Sequence, residues 1–231
     1  MGISKKDIMR ISSFNINKFC GAYSSKNGGY YNPRNIDFKS PIKNIVDSLL
    51  RGREDIVFLQ EFTDNSYIEI SELFHKEEYM IWGNSDFRKD RSNVVAITLK
   101  ERPWEKTDLP ENTEFCNKII GMERTDKKLR ILCFHNTDEK IKNEINEQFK
   151  KGQFDIILGD FNDSKWIQML NEEIPEYRDL VTDDMITYKP AQTSIDRIFV
   201  KKEKFLNKIV FNGVIETYAS DHNILSFLLN A

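Results

Sequence analysis

The chain has 231 residues, of which 39% are hydrophobic and 31% are charged, and its formal net charge is −3. This length and apolar fraction suffice for a buried core. Because sheet-rich sandwiches of this size often fold as a single unit, we expect one domain over residues 1–231. The acidic balance argues against a protein that coats nucleic acid through a wholly basic surface, so any contact with a polyanion must be local.

The cysteines and the N-terminal segment bear on the cellular compartment. The chain has three cysteines and no Cys-x-x-Cys pair, which is typical of a reducing compartment rather than of a disulfide framework or a zinc site. Residues 1–6 lack the apolar stretch of a secretory signal, and Lys6 stands where a myristoylation motif has serine or threonine. No apolar run approaches the ~18 residues of a membrane helix. The sequence therefore predicts a cytoplasmic protein without a membrane contact.

The first elements form a strand–helix–strand unit. Residues 8–16 predict a strand with Asn15 near its end, and residues 55–61 predict a second strand that ends in Glu61. Between them, a serine–proline start and apolar residues at helical spacing predict a helix over residues 40–51. In sheets built from such crossover units, ligands gather outside the carboxyl ends of the strands. This arrangement makes the ends of both strands candidate site positions.

Two loops carry the local positive charge that a polyanion would need. Residues 20–39 are predicted to form a long loop rich in glycine and tyrosine, and loops of this length within compact domains are usually functional or disordered. Residues 84–93 are predicted to form a second polar loop, in which Arg88, Lys89 and Arg91 are the best cationic cluster of the chain. We identify these three as candidate substrate-binding residues, while noting that loop charges are more often simply solvated.

The remaining predicted elements alternate between strands and helices. They comprise a helix over 65–76, paired strands over 79–82 and 94–99, a hairpin of 115–122 and 129–135, a helix with apolar residues at 141, 145 and 149, a strand over 155–158, a helix over 166–170, and strands over 194–200, 209–218 and 224–229. The region through Pro175 and Asp183 is predicted to be irregular. This order predicts a mixed α/β domain.

Polar residues of catalytic type stand at or near the ends of most of these strands. They are Asn15, Glu61, His135, Asp160, Asn162, Asp196, Asp221 and His222. Burying a carboxylate is costly unless it is paired or binds a metal, so a single such residue is usually a satisfied structural group. A lone histidine such as His135 would also more often be structural. Recurrence of the pattern on six strands indicates instead that these ends meet in one site.

The residue types in this set indicate the chemistry. Glu61 and Asp221 are hard oxygen ligands that suit Mg²⁺, with Mn²⁺ as an alternative, and Asn15 can ligate a metal without adding charge. Asp196 can hold His222 in one tautomer, as carboxylates do in other hydrolases. The chain has no glycine-rich phosphate loop and no context for a cysteine nucleophile. The inventory fits hydrolysis of a phosphoester by metal-assisted attack of water.

Six short motifs, in order along the chain, carry a family resemblance. They are Ser-Phe-Asn-Ile at 13–16, Leu-Gln-Glu at 59–61, His-Asn-Thr at 135–137, Gly-Asp-Phe-Asn at 159–162, Ser-Ile-Asp-Arg-Ile-Phe at 194–199 and Ser-Asp-His at 220–222. This set resembles the endonuclease/exonuclease/phosphatase superfamily, the DNase I-like proteins. The resemblance implies an α/β (α+β) fold, a four-layer α/β/β/α sandwich of two mixed sheets, with the active site at one end.

The resemblance also implies a role for each motif residue. Asn15 and Glu61 would hold the metal, and Asp221 would assist directly or through water. Asp160 and Asn162 would position the nucleophilic water and the phosphate.

The resemblance assigns the histidines as well. Asp196 would pair with His222, and His135 would stabilise the phosphoryl oxygens or protonate the leaving group. Whether the aspartate at 160 or the histidine at 222 acts as the base stays open at this stage.

Two departures from the family pattern narrow the comparison. Asn17 stands where many relatives have an aspartate, which removes a possible second metal contact. His135 stands where the exonuclease III and abasic-endonuclease branch usually has a tyrosine, so the chain looks more like DNase I, the sphingomyelinases and the lipid or inositol phosphatases. The carboxylate that would orient His135 is not identified, with Asp86 and Asp90 as candidates.

The leading expectation is a Mg²⁺-dependent nuclease that cleaves phosphodiester bonds of DNA. The alternative is a phosphatase or phosphodiesterase that acts on a small phosphorylated metabolite, nucleotide or lipid head group, which the acidic net charge favours because non-specific DNA binding depends on lysine and arginine. A catalytically idle binding module is disfavoured, since every acid, amide and histidine of the motifs is retained. The expected partner is DNA or another phosphoester substrate, and the oligomeric state is left open.

Overall fold

The computed structural model describes residues 8–19, 39–52, 54–62, 78–83, 92–107, 109, 116–205 and 208–230. Several predicted features lie outside these ranges: the helix over 65–76, almost all of the loop over 20–39, the cationic cluster Arg88, Lys89 and Arg91, and the candidate orienting residues Asp86 and Asp90.

In the described part of the chain, the first sheet contains six strands. With strands numbered along the chain, these are β1 (Ile8–Asn15), β2 (Ile56–Phe62), β3 (Tyr79–Trp82), β4 (Asn93–Leu99), β11 (Ile209–Ile215) and β12 (Ile224–Asn230). Their order is β11-β12-β1-β2-β4-β3. Strands β1 and β2 are parallel, and every other neighbouring pair is antiparallel, so the sheet is mixed.

The second sheet also contains six strands within the described ranges. These are β5 (Trp104–Lys106), β6 (Ile119–Arg124), β7 (Leu129–His135), β8 (Ile156–Asp160), β9 (Tyr177–Asp179) and β10 (Asp196–Lys201). Their order is β5-β6-β7-β8-β10-β9, with β7 and β8 parallel and the other pairs antiparallel. Each sheet thus has one central parallel pair.

The described ranges contain four helices, of which the three longer ones cover the outer faces of the sheets and the shortest contributes Phe205 to the core between them. They are α1 (Lys39–Arg51), α2 (Glu139–Lys151), α3 (Ser164–Glu173) and the short α4 (Lys202–Phe205), and two 3₁₀ turns span Asn17–Phe19 and Cys116–Lys118. One apolar cluster joins α1 to the first sheet, a second joins α2 and α3 to the second sheet, and a third lies between the sheets. The predicted four-layer sandwich is confirmed.

Strand alternation decides which side chains enter the layer between the sheets. In β1, Met9 and Ile11 belong to the inter-sheet core, whereas Phe14 packs on the α1 side. In β8, Ile156 and Leu158 face the inter-sheet core in the same way. Because side chains alternate along a strand, a polar residue that continues either inner row at a strand end is directed into the gap between the sheets.

The structure differs from the predicted elements at several short segments. Residues 116–118 form a 3₁₀ turn rather than a strand, because Asn117 turns its amide to the Ser92 carbonyl at 3.0 Å. The strand predicted over 209–218 ends at Ile215, and the Thr217 hydroxyl then accepts from the Ala219 amide in a turn. Strands β5 and β9 were not predicted, since three residues are too few to show an alternating pattern.

No helix within the described ranges is long and apolar enough to cross a bilayer.

Candidate active site

The ends of three neighbouring strands of the second sheet place His135, Asp160 and Asp196 in one row. Asp160 is in register with His135 on the parallel strand β7 and with Asp196 on the antiparallel strand β10. All three side chains are buried, and all continue the inner rows of their strands. One row across the sheet therefore delivers two carboxylates and an imidazole to the same end of the sandwich.

Gly159 allows this row to form. Its φ angle is +143°, and a Cβ atom there would lie 2.0 Å from the carbonyl oxygen of Phe134 on β7. Only glycine avoids this overlap with the neighbouring backbone. The glycine of the Gly-Asp-Phe-Asn motif thus lets β7 and β8 approach closely immediately before Asp160.

A bulge in β2 directs Glu61 into the site. Ile56 and Phe58 face the inter-sheet core, so simple alternation would place Glu61 on the side of α1. The pairing of β2 with β4 shifts register between Leu59 and Phe62, and Glu61 has a φ of +55°. Such strained, bulged positions are typical of active sites, where they redirect a side chain. Here the bulge brings Glu61 within 3.2 Å of the Asn15 amide.

Asn15 joins the two sheets through its amide group. Its Nδ2 donates to Asp160 Oδ2 at 2.9 Å and to Glu61 Oε1 at 3.2 Å, while its Oδ1 accepts from the Asn17 backbone amide at 2.9 Å. Asn15 therefore organises the two carboxylates in this structure. To ligate a metal, as the resemblance implies, it would have to present its oxygen instead.

The backbone after β8 holds the other oxygen of Asp160. Asp160 Oδ1 accepts from the Asn162 amide at 3.0 Å, and Asn162 adopts a left-handed conformation with a φ of +54°. The Asn162 side chain in turn donates to the Asn136 carbonyl at 2.9 Å. Asp163 then accepts from the amides of Lys165 and Trp166 as the N-cap of α3.

His222 forms a close pair with Asp196. The Asp196 carboxylate accepts from His222 Nδ1 at 2.9 Å, and the other ring nitrogen, Nε2, lies 3.8 Å from Asp160 Oδ2 and 4.0 Å from Asp221 Oδ1. Burial alone would lower the pKa of His222, but the carboxylates of Asp196, Asp160 and Asp221 outweigh it and raise that pKa to about 10. His222 thus holds a proton firmly while these carboxylates are charged.

Burial raises the pKa values of the nearby carboxyl groups, whereas it lowers the pKa of a histidine. It raises the pKa of Asp160 well above its usual range, an effect that Asp196 and Glu61 strengthen and that His222 and the Asn15 amide oppose. Burial also raises the pKa of Asp221, with Glu61 adding to the effect. Clustered buried carboxylates resist ionisation in this way because each charge destabilises the next.

His135 lies on the other side of Asp160. Its Nε2 is 3.7 Å from Glu61 Oε1 and 3.8 Å from Asp160 Oδ2, both beyond hydrogen-bond range. Burial lowers the pKa of His135 well below its usual value, and the nearby positive charges of Lys118 and His222 act in the same direction. Among the residues that the structure describes, none partners the buried Nδ1 atom. His135 is therefore a neutral imidazole facing the carboxylates.

The donor set fits a divalent cation. Glu61 Oε2 is buried without a hydrogen-bond partner among the described residues, and the Lys18 ammonium lies 3.9 Å from it. One ligand atom each from Glu61, His135 and Asp160 lies within 4.8 Å of the others. Mg²⁺ and similar ions bind through carboxylate oxygens such as these. Such an ion would remove the cost of burying these charges.

These residues line a cavity of about 570 Å³. The predicted site residues on its wall are Glu61, His135, Asp160, Asn162 and His222. The cavity is also lined by Lys18, Asn136 and Tyr188, whose ring centroid lies 4.8 Å from that of His222. Tyr188 was not predicted to be a site residue, because it lies in a short turn that has no alternating pattern of apolar and polar residues.

The comparison with protein families decides the classification. The family model described as "Endonuclease/Exonuclease/phosphatase family" matches residues 12–222, a span that includes all six motifs. The chain belongs to this family. Endonuclease/exonuclease/phosphatase proteins are phosphoric ester hydrolases that use divalent metal ions, and the chain is an enzyme of this class. No curated protein sequence matches it.

The similarity to solved structures with the same fold extends over nearly the whole chain. TDP2 of D. rerio, solved with a single-stranded DNA product, has a TM-score of 0.65 at 16% identity and covers 97% of this chain and 99% of its own. The endonuclease domain of TRAS1, a telomere-specific non-LTR retrotransposon, has a TM-score of 0.65 at 16% identity, covering 96% and 98%. The 3′ phosphatase NExo from Neisseria, bound to a product DNA hairpin, has a TM-score of 0.61 at 13% identity, covering 96% and 100%. These similarities establish the DNase I-like fold.

Proposed function

We propose that this endonuclease/exonuclease/phosphatase protein is a Mg²⁺-dependent nuclease of the cytoplasm that hydrolyses phosphodiester bonds of DNA by metal-assisted attack of water. The observation that carries the proposal is that Glu61, Asp160 and His222 line one cavity, with Asn15 bonded to both carboxylates and Asp196 bonded to His222 behind them. Tyr188 beside His222 offers an aromatic surface, and base–aromatic stacking is a common way to hold a splayed nucleotide.

Each site residue has a distinct role in the proposed reaction. Glu61 would hold the ion, with Asp221 and a reoriented Asn15 assisting, and the bound ion would supply positive charge that stabilises the phosphoryl oxygens. Asp160, held between two amide donors, orients the attacking water.

The two histidines act from opposite sides of Asp160. His222, with its Nδ1 held by Asp196, presents Nε2 to the reacting groups, where it holds a proton against the phosphoryl oxygens. Neutral His135 donates a hydrogen bond from Nε2 to a phosphoryl oxygen or to the leaving group. Both nitrogens lie 3.8 Å from Asp160 Oδ2, so each imidazole lies beside the carboxylate that orients the water.

The alternative is hydrolysis of a small phosphorylated metabolite, nucleotide or lipid head group. Asp138, Glu139 and Asp163 also line the cavity, and acidic residues beside the reacting centre disfavour a long polyanion. Lys142 partly offsets them, since its ammonium lies 3.1 Å from Asp163 Oδ2. The acidic residues on this side of the cavity are the observation that favours a small substrate.

A substrate panel separates the two proposals. In Mg²⁺ buffer, the purified protein should convert supercoiled plasmid to nicked or linear DNA, or shorten linear or single-stranded DNA, faster than it releases phosphate from nucleotides, sugar phosphates and inositol phosphates. The Asp160→Ala protein, purified in parallel, controls for contaminating nucleases. Release of phosphate from monoesters with DNA left intact would contradict the nuclease and support the alternative.

A further inference from the structure

The hydrogen bond between His222 and Asp196 spans the two sheets of the sandwich. Asp196 opens β10 in the second sheet, whereas His222 lies on the loop that leads into β12 in the first sheet. A shift of one sheet relative to the other would break this bond. Something must therefore hold the two backbone segments in place at the site.

A tight turn over residues 187–193, here called the 187–193 turn, lies between these segments. The Tyr188 amide donates to the Thr193 carbonyl at 2.9 Å, and the Thr193 amide donates back to the Tyr188 carbonyl at 3.1 Å. On one side, the fully buried Thr187 hydroxyl accepts from the amides of Ile195 and Asp196 at 3.0 Å each. The turn thus fixes the backbone that carries Asp196.

On its other side, the 187–193 turn holds the loop that carries His222. The Lys189 amide donates to the Asp221 carbonyl at 2.9 Å, and the Asn223 amide donates to the Thr187 carbonyl at 2.8 Å. These two bonds flank His222 in the chain. The turn is therefore hydrogen-bonded to the backbone segments that carry Asp196 and His222.

The Lys189 side chain adds charged hydrogen bonds to these backbone contacts. Its ammonium group donates to the carbonyl oxygens of Thr217 and Ser220, the two residues that bound the turn immediately before Asp221. The side chain is half-buried, and burial lowers the pKa of Lys189 while Asp221 and Glu216 oppose that effect. Charge-assisted hydrogen bonds are roughly twice as strong as neutral ones, so the two bonds from this ammonium should hold the turn before Asp221 in place.

We propose that Lys189 is a positioning residue, which fixes the Ser220–His222 loop so that the His222 imidazole stays aligned with Asp196 and the reacting phosphoryl group. The assignment rests on the proposed function of His222. Lys189 touches no reacting atom, and it acts through the two carbonyls that its ammonium binds. Displacing a catalytic group by about 1 Å can cost about 10²-fold in rate, which sets the size of the expected effect.

Lys201 provides a matched control. It is also half-buried, and its ammonium also donates to a backbone carbonyl, that of Gly152. It lies at the opposite end of β10 from Asp196, far from the cavity. Lys189→Met and Lys201→Met therefore remove the same kind of contact, one at the site and one remote from it.

The test measures kcat and KM on the best substrate of the panel for Lys189→Met, Lys189→Arg and Lys201→Met. We expect Lys189→Met to lower kcat by about 10²-fold with KM little changed. Lys189→Arg keeps the charge and the donors and should restore most of the rate, and Lys201→Met should keep it. An equal loss of kcat in both methionine variants, or a loss confined to KM, would overturn the assignment.

A second readout does not depend on catalysis. The proton NMR signal of the His222 Nδ1–H group, assigned by its disappearance in Asp196→Asn, should shift or broaden in Lys189→Met and stay in place in Lys201→Met and Lys189→Arg. An unchanged signal in Lys189→Met would overturn the assignment. If the wild-type protein hydrolyses no phosphoester, this signal still decides the role of Lys189, so failure of the two proposals can be told apart.

Discussion

Asp160→Asn should lower the hydrolytic rate on the order of 10⁴-fold, the scale of loss seen when a single catalytic aspartate is removed from a hydrolase. The substitution keeps the shape of the side chain and one oxygen, which can still accept from the Asn162 amide. It removes the negative charge and the second acceptor that meets the Asn15 amide. The loss should appear in kcat under saturating Mg²⁺, measured with the preferred substrate of the panel.

The stability of Asp160→Asn controls for damage to the fold. Burial and the charges of Asp196 and Glu61 raise the pKa of Asp160, so ionised Asp160 destabilises the metal-free protein. Above the pKa of an unfolded aspartate this cost increases with pH, and the asparagine variant escapes it. Thermal unfolding at pH 8 in EDTA should therefore give Asp160→Asn a Tm equal to or above that of the wild type. A clearly lower Tm together with the rate loss would mean that Asp160 is structural.

His222→Ala should lower the rate by about 10²–10⁴-fold, the usual contribution of a general acid–base group. The reason is geometric, since His222 Nε2 is the ring nitrogen that faces Asp160 and the cavity while Nδ1 is held by Asp196. The measurement is kcat across pH in Mg²⁺ buffer. A rate close to that of the wild type would show that His222 has been misassigned.

Asp196→Asn tests the same pair from the other side. The Asp196 carboxylate is the leading charge that raises the pKa of His222 to about 10. Neutralising it should lower that pKa, because burial then acts with less opposition. An NMR titration of the His222 ring protons in EDTA-treated wild-type and Asp196→Asn protein measures the shift. A pKa of His222 that stays the same in both proteins would contradict the pairing.

The ends of the strands could be predicted from the sequence because buried strands have a simple signature. Short apolar runs with a polar residue at or near their end located Asn15, His135 and Asp160, and Asp196 was found inside a predicted strand. Strand alternation places all four in the layer between the sheets. The family resemblance then supplied the pairing of strands from distant parts of the chain. No local pattern alone indicates that Asp160 lies in register with both of its neighbours.

Two features of the site have no signature in the sequence. Glu61 enters the site only because a bulge with a φ of +55° reverses the alternation of β2, and its side chain would otherwise face α1. The 187–193 turn holds the loop of His222 through backbone amides and the Lys189 ammonium. Backbone hydrogen bonds between segments 30 residues apart leave no periodic trace, so sequence reasoning passed over this region.

We expect hydrolysis to depend on a metal ion bound at the Glu61 end of the cavity. The most direct measurement is the rate of phosphoester hydrolysis as a function of Mg²⁺ concentration for the wild type and for Glu61→Gln. Outer-shell partners alone change metal affinity by about 10–100-fold, so loss of a direct ligand should raise the half-saturating Mg²⁺ concentration by at least about tenfold. We predict no hydrolysis by either protein in EDTA. Hydrolysis by the wild type in EDTA, or the same Mg²⁺ dependence in both proteins, would contradict metal binding by Glu61.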